Sequence, residues 1–287
     1  MSSLSGKTLL ITGAARGIGE HLARQAAAKG ANVALIGLEP DRLKGLAAEL
    51  NGHWFDCDVT HQACLDLAVA STIEKFGKID VIVANAGIAN IGTLRSGPAD
   101  ALVRTIDVNL NGVIRTVGAA LPYLIESRGY ALLISSAAAF TAMPGMAAYC
   151  ASKAGVEQFG NVLRLELAHL GVGVGTAHPI WIDTDMVRGF SDDLPSFREV
   201  RKKLPWPLSQ EITVTECAAM LLRGIEKRKR RVYVPRSIGL VQAMRTIVLS
   251  PFSDAIVRRS SRKGAVIEQM EQEVRTLGRS FGSHSVG

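Results

Sequence analysis

The sequence predicts an α/β protein: one doubly wound parallel sheet of about seven strands, followed by a helical C-terminal extension. Three observations carry this reading. Short apolar runs alternate along the chain with alanine- and leucine-rich segments of helical periodicity. A glycine-rich turn joins the first such run to the first such helix. The 287 residues, 47% of them hydrophobic, suffice for one large core of the kind that a sheet buried on both faces requires.

In chain order, the strands are expected at 7–11, 32–36, 53–59, 79–84, 130–135, 172–177 and 231–234, each a short run rich in Val, Ile, Leu or aromatic residues. Helices are expected between them at 20–29, 40–50, 62–76, 99–126, 147–169 and 214–228, where alanine and leucine recur at helical spacing. Such alternation calls for right-handed crossovers, which place functional residues beyond the carboxyl ends of the strands. No internal repeat or low-complexity linker interrupts the pattern.

Thr12-Gly13-Ala14-Ala15-Arg16-Gly17-Ile18-Gly19 follows the first strand and opens the first helix. Glycines there let the backbone approach a pyrophosphate, and the helix N-terminus offers free N–H groups and a favourable dipole. The strand before and the helix after are the context that a dinucleotide-binding turn requires.

Tyr149 and Lys153 stand four residues apart, one helical turn, so phenol and ammonium project from the same helix face. A free tyrosine titrates at about pH 10, too high for a base at neutral pH. A neighbouring cation favours the phenolate, which gives the pair a physical rationale. Ser136 follows the apolar run 131–134 and can hold a carbonyl or hydroxyl oxygen beside the phenol.

The glycine turn, Asn85-Ala86-Gly87, Asn109, Ser136, Tyr149 and Lys153 stand in the order and spacing of the short-chain dehydrogenase/reductase family, which the chain resembles from about residue 5 to about residue 235. The resemblance implies a Rossmann-like domain over 1–235 and an NAD(P)-dependent oxidoreductase acting on CH–OH groups. Asn109, Ser136, Tyr149 and Lys153 would be its catalytic set. Tyr149 would exchange the proton on oxygen, Ser136 would orient that oxygen, Lys153 would grip the nicotinamide ribose, and Asn109 would hold a relay water within a distorted helix. Asn111 competes for that last place, but the family register favours Asn109.

Cofactor contacts are implied at Gly13, Arg16, Gly17, Ile18 and Gly19 in the turn, at Gly37 and Leu38 after the second strand, and at Asn85, Ala86 and Gly87. Tyr149, Lys153, Pro179, Ile182 and Thr184 complete the nicotinamide end. Asp58 and Val59 are implied at the adenine, although a strand-end aspartate also serves simply as a turn residue. Ile180 stands where the family usually has glycine, which puts the local backbone in doubt. At the end of the second strand, Gly37 leaves no carboxylate to repel a 2′-phosphate, and Arg16 is a suitable cation; NADP is therefore favoured. Leu38 in place of a second basic residue, and Glu39 beside it, keep NAD open.

Ala137 to Met146 is an apolar loop, and Trp181, Met186 and a lid over about 187–210 are expected to cover the pocket. Phe190, Phe197, Leu204 and Trp206 give the lid an apolar face, so an apolar alcohol or ketone is the expected substrate, unless these side chains only pack the lid. A non-catalytic dinucleotide sensor or scaffold is the alternative, and the filled catalytic positions argue against it.

The extension 236–287 is basic and partly apolar. Residues 226–287 hold thirteen Lys and Arg against five acidic residues, an excess of eight in a chain of net charge +7. Val266, Met270, Val274 and Leu277 recur there at helical spacing. Packing on the body or on another subunit, and peripheral contact with anionic membranes through 226–263, are the competing readings. Nucleic-acid binding is not expected, because no recognition motif accompanies the charge. Four scattered cysteines (Cys57, Cys64, Cys150, Cys217) and the lack of an apolar membrane-length run or signal core suggest a cytoplasmic chain. No metal site is expected. The family resemblance further implies a homo-oligomer, a tetramer or dimer built through helices 99–126 and 147–169.

Overall fold

The computed structural model describes residues 3–260 and 265–277. Its core follows β1 (Thr8–Thr12), α1 (Gly17–Ala27), β2 (Asn32–Gly37), α2 (Pro40–Leu50), β3 (His53–Asp56), α3 (Gln62–Phe76) and β4 (Val81–Ala84). It continues with α4 (Ala99–Ile106), a π-helical segment (Asp107–Asn111), α5 (Gly112–Glu126), β5 (Tyr130–Ile134), α6 (Ala147–Glu166) and β6 (Gly173–Pro179). Seven strands form one parallel sheet in the order β3-β2-β1-β4-β5-β6-β9, where β9 is Arg231–Val234. The chain reverses its winding between β1 and β4, so the crevice of a doubly wound sheet opens there.

Strand alternation builds two cores. Leu9, Ile11, Val33 and Leu35 meet Leu22 of α1, Leu43 of α2 and, from the later helix Val214–Glu226, Cys217 and Leu221. Leu10, Ala34, Ile36 and Ile82 point to the other face, against Leu65 of α3, Val117 of α5 and Val156 of α6. Burying both faces explains why the strands read as unbroken apolar runs.

The elements depart from expectation at their ends. The third strand stops at Asp56 rather than at Val59, because Asp58 turns the chain by accepting from Thr60 N at 2.8 Å. The long helix expected at 99–126 is broken by the π segment, and Asn109 lies inside that break. Helix α6 ends at Glu166, followed by one 3₁₀ turn closed by left-handed Gly171. After β6, β7 (Trp181–Ile182) pairs with β8 (Glu211–Ile212) at the base of the lid, a small sheet that the sequence did not announce. Between them the lid forms two helices, α7 (Asp185–Asp193) and α8 (Pro195–Lys202).

Helix α9 (Val214–Glu226) opens on a Thr213–Glu216 capping box and leads into β9. The extension then forms α10 (Ile238–Ala243), α11 (Arg245–Val248), α12 (Pro251–Ser260) and α13 (Ala265–Thr276). Ile238 and Val241 pack beneath Phe140, while Met270 and Val274 pack on the lid. Arg262, Lys263 and Arg279 of the basic tail lie outside the described residues. Among the described residues no helix is long and apolar enough to cross a membrane.

Candidate active site

Most of the motif residues converge on one cleft at the carboxyl edge of the sheet, in the register Thr12 beside Ile36, Ala84 beside Leu133 and Ile134 beside Ala177, while Asn109 and Ser136 lie behind its lining. Gly13, Arg16, Gly17, Ile18, Gly37, Leu38, Asp58, Val59, Asn85, Ala86, Gly87, Tyr149, Lys153, Pro179, Ile182 and Thr184 all line it.

The floor fits a dinucleotide for steric reasons. Gly13 has φ +63, and a Cβ there would lie 2.8 Å from Ala86 Cα. Asn85 fastens the two turns together: its Nδ2 donates to Thr12 O at 3.0 Å and to Gly13 O at 3.1 Å, and its backbone N–H reaches Thr12 Oγ1 at 3.0 Å. Gly19 does not line the cleft. A Cβ there would sit 2.3 Å from Gly13 O, so this glycine closes the helix onto its turn rather than touching a ligand.

At the ribose end, Arg16 Nε donates to Glu39 Oε1 at 2.7 Å, with a second bond from Nη2, and Arg42 lies 3.3 Å from the same carboxylate. The cation expected to meet a 2′-phosphate is therefore neutralised in this state. Asp58 faces the cleft with Arg104 of α4 at 3.5 Å. Arg104, Cys57, Ile88, Met186 and Val187 also line the cleft. Arg104 was not legible as a site residue, since it reads as one charge on the polar face of a helix.

Ile180 causes no backbone strain. The non-glycine residues with positive φ among those described are Asn51, Arg128 and Arg228, and Ile180 N–H donates to Val234 O at 3.0 Å.

At the far end, Lys153 is 4% exposed and its Nζ donates to Ile134 O at 2.9 Å. The ammonium lies over the Tyr149 ring, 5.6 Å from its centroid. Desolvation pushes the Tyr149 hydroxyl up to about 12, with a hydrogen bond from Ser136 pulling the other way, and it lowers Lys153 to about 8. Burial thus favours the neutral acid form of the tyrosine at rest. Ser136 is held by the backbone, donating to Pro179 O at 3.2 Å and accepting from Ala138 N at 3.2 Å.

Asn109 is fully buried. Its Oδ1 accepts from Ile88 N at 2.8 Å, and its Nδ2 donates to Ile88 O at 2.8 Å and to Ser152 Oγ at 3.2 Å. Its amide therefore ties the π segment to the loop after β4, with both N–H donors committed and one lone pair of Oδ1 remaining. Asn111 turns away to Asp107 at 3.0 Å.

Comparison with known proteins agrees with this geometry. The short chain dehydrogenase family model matches residues 7–195, and the chain belongs to that family. Oxidoreductase UcpA of Escherichia coli (strain K12) is 34% identical over 235 residues, covering 77% of this chain and 89% of the relative. D-threitol dehydrogenase of Mycolicibacterium smegmatis is 35% identical over 189 residues, 64% of this chain and 73% of the relative. Trans-4-hydroxycyclohexanecarboxylate dehydrogenase of Sinomonas cyclohexanicum is 34% identical over 194 residues, covering 64% and 75%. General NAD(P)-dependent oxidoreduction is the chemistry that this membership supports.

Proposed function

We propose that the chain interconverts an apolar secondary alcohol and its ketone with NADP, using Tyr149 as the acid and base. The observation that carries this is a neutral, half-buried phenol facing a glycine-floored cleft on one side and an apolar cluster on the other. When bound, the nicotinamide supplies or accepts the hydride at carbon. Tyr149 gives its proton to the carbonyl oxygen during reduction, and Ser136, pinned by Pro179 O and Ala138 N, orients that oxygen. Lys153 supports the tyrosine from over its ring. Asn109 fixes the π segment, and a relay water would be held by the remaining lone pair of its Oδ1 or by the backbone that the π segment frees.

Among the relatives' named substrates, the cyclohexane ring suits the apolar wall beside Tyr149 better than a polyol does. Cofactor oxidation across a panel of cyclic and acyclic ketones tests the reading; turnover of polyols alone would overturn the substrate class.

NADP binding requires Arg16 to leave Glu39 for the 2′-phosphate. Glu39→Gln removes the competitor, so the NADP/NAD ratio of kcat/KM should rise about tenfold or more, as one charge-assisted bond allows. The rise should come from NADP: a ratio that rises only because NAD efficiency falls would instead show Glu39 to be a ribose ligand for NAD, and an unchanged or falling ratio would overturn the competition.

Two surfaces support further proposals. Val103, Ile114, Val162 and Leu165 are exposed on α4, α5 and α6, which favours a homo-oligomer through these helices. A solution mass of one chain at micromolar concentration would refute it.

Leu240, Met244, Ile247, Leu249, Phe252 and Ile256 are exposed on α10 to α12, Phe252 at 70%, in the chain's most basic region. Like charge disfavours pairing this surface with itself and favours an anionic bilayer, at about 1 kcal/mol per basic residue. The proposal is thus a cytoplasmic enzyme with peripheral membrane contact. Co-sedimentation with anionic vesicles should exceed that with neutral ones and fall at high salt; equal recovery from both would exclude it.

A further inference from the structure

Helix α13, at the far end of the described chain, packs on the lid helix α8 and on the cluster beside Tyr149. Met270 and Val274 are four residues apart and share a face; they are 3% and 4% exposed. Both join Ile91, Met146, Trp181 and Phe190 in one apolar cluster, with Tyr149, Ile180 and Met186 packed against it. Met270 sits in a notch cut by Gly145, where an added Cβ would lie 2.6 Å from its sulfur. Gly145 O in turn accepts from Gly92 N at 2.7 Å, joining the loops that follow β4 and β5.

Glu271 and Glu273, two residues apart, point to different walls. Glu271 is 5% exposed and accepts from Thr93 Oγ1 at 2.5 Å and from Arg95 Nε at 2.8 Å. Glu273 accepts from Ser196 N at 3.2 Å and from Ser196 Oγ at 2.6 Å, at the N-terminus of α8, where a carboxylate also meets the favourable end of the helix dipole. One acid thus grips the turn at 93–96 and the other grips the lid, so the helix bridges the two across the apolar cluster beside Tyr149. What it presents between them is a thioether and methyl groups, with both carboxylates occupied.

We propose that the substrate chamber is roofed by the chain's own C-terminal helix. Met270 and Val274 set the size of the uncharged carbon skeleton accepted beside Tyr149, and Glu271 and Glu273 hold the roof on its two walls. The size-setting half rests on Tyr149 being the proton donor; the holding half does not.

Two variants of the full chain test it. In Met270→Ala, kcat/KM for 4-tert-butylcyclohexanone relative to cyclohexanone should rise about tenfold or more, the scale of a few methylenes in a pocket, with cofactor affinity unchanged. In Glu273→Gln, amide hydrogen exchange over 194–202 should quicken about tenfold, the mark of a segment that has lost a fixed partner. Turnover with an unchanged substrate ratio overturns the roof as the specificity element and leaves the proposed reaction standing. If the wild type binds cofactor but reduces neither ketone, the proposed reaction fails, and with it the size-setting half. The holding half is then decided by exchange: unchanged exchange over 194–202 overturns it.

Discussion

Tyr149→Phe is expected to bind the nicotinamide cofactor within about threefold of the wild type and to lose about 100- to 10,000-fold in turnover, the range a positioned acid–base group supplies. The ring remains, so its contacts with the apolar cluster and the overlying Lys153 survive; only the proton and the Ser136 bond are lost. The resting state adds a sign. With the hydroxyl raised to about 12, the acid form dominates at neutral pH and the basic form grows tenfold per pH unit below that value. In the wild type, ketone reduction should therefore stay level between about pH 7 and 9 while alcohol oxidation climbs, and Tyr149→Phe should show neither profile. Steady-state rates in both directions, beside cofactor titration by fluorescence, measure this. Near-normal turnover in the variant would remove Tyr149 from the mechanism.

The parts of this site that could be read from sequence are those fixed by backbone geometry. A glycine turn between a strand and a helix has few uses, and Gly13 and Gly17 adopt the positive φ that only glycine takes easily. Tyr149 and Lys153 needed only the helical repeat to share a face. Seven strands were legible because burial on both faces removes polar residues from them. What the sequence could not show depends on competition between neighbours in space. Arg16 has two anionic partners open to it, a cofactor phosphate or Glu39, and spacing along the chain does not choose between them. The protonation of Tyr149 depends on burial set against a hydrogen bond from Ser136, thirteen residues away along the chain.

The tail shows the same limit. Its helical spacing is plain at Val266, Met270, Val274 and Leu277, yet nothing in that spacing says which surface they cover. Contacts such as Glu273 with Ser196, separated by 77 residues, exist only once the sheet has set the distance. In the extension, α13 is buried through one apolar face, whereas α12 leaves Phe252 and Ile256 outside; the two helices have similar shares of apolar residues and opposite fates.

Lys153→Met should produce a protein that is more stable and nearly inactive. Lys153 is held almost entirely out of water, and its folded-state value falls from 10.5 to about 8. At about 1.36 kcal/mol per unit, keeping that ammonium buried at pH 7 costs roughly 3 kcal/mol relative to the unfolded chain. Methionine fills similar space without the charge. Losing the bond to Ile134 O returns about 1–2 kcal/mol, so the cofactor-free variant should gain about 1–2 kcal/mol in denaturant unfolding at pH 7. The sign with pH follows from which state holds the proton. Between about 8 and 10.5 the unfolded chain keeps a proton on this lysine that the folded chain has released, so the wild type recovers stability as pH rises through that window. The advantage of Lys153→Met should therefore shrink from pH 8 towards pH 10. Taking the difference between the two proteins cancels groups common to both, such as the Cys217 thiol, which burial raises to about 12 and which acts in the opposite direction. A variant that is less stable at pH 7, or whose margin widens with pH, would show that Lys153 supports the fold. The expected result makes it a costly group kept for Tyr149.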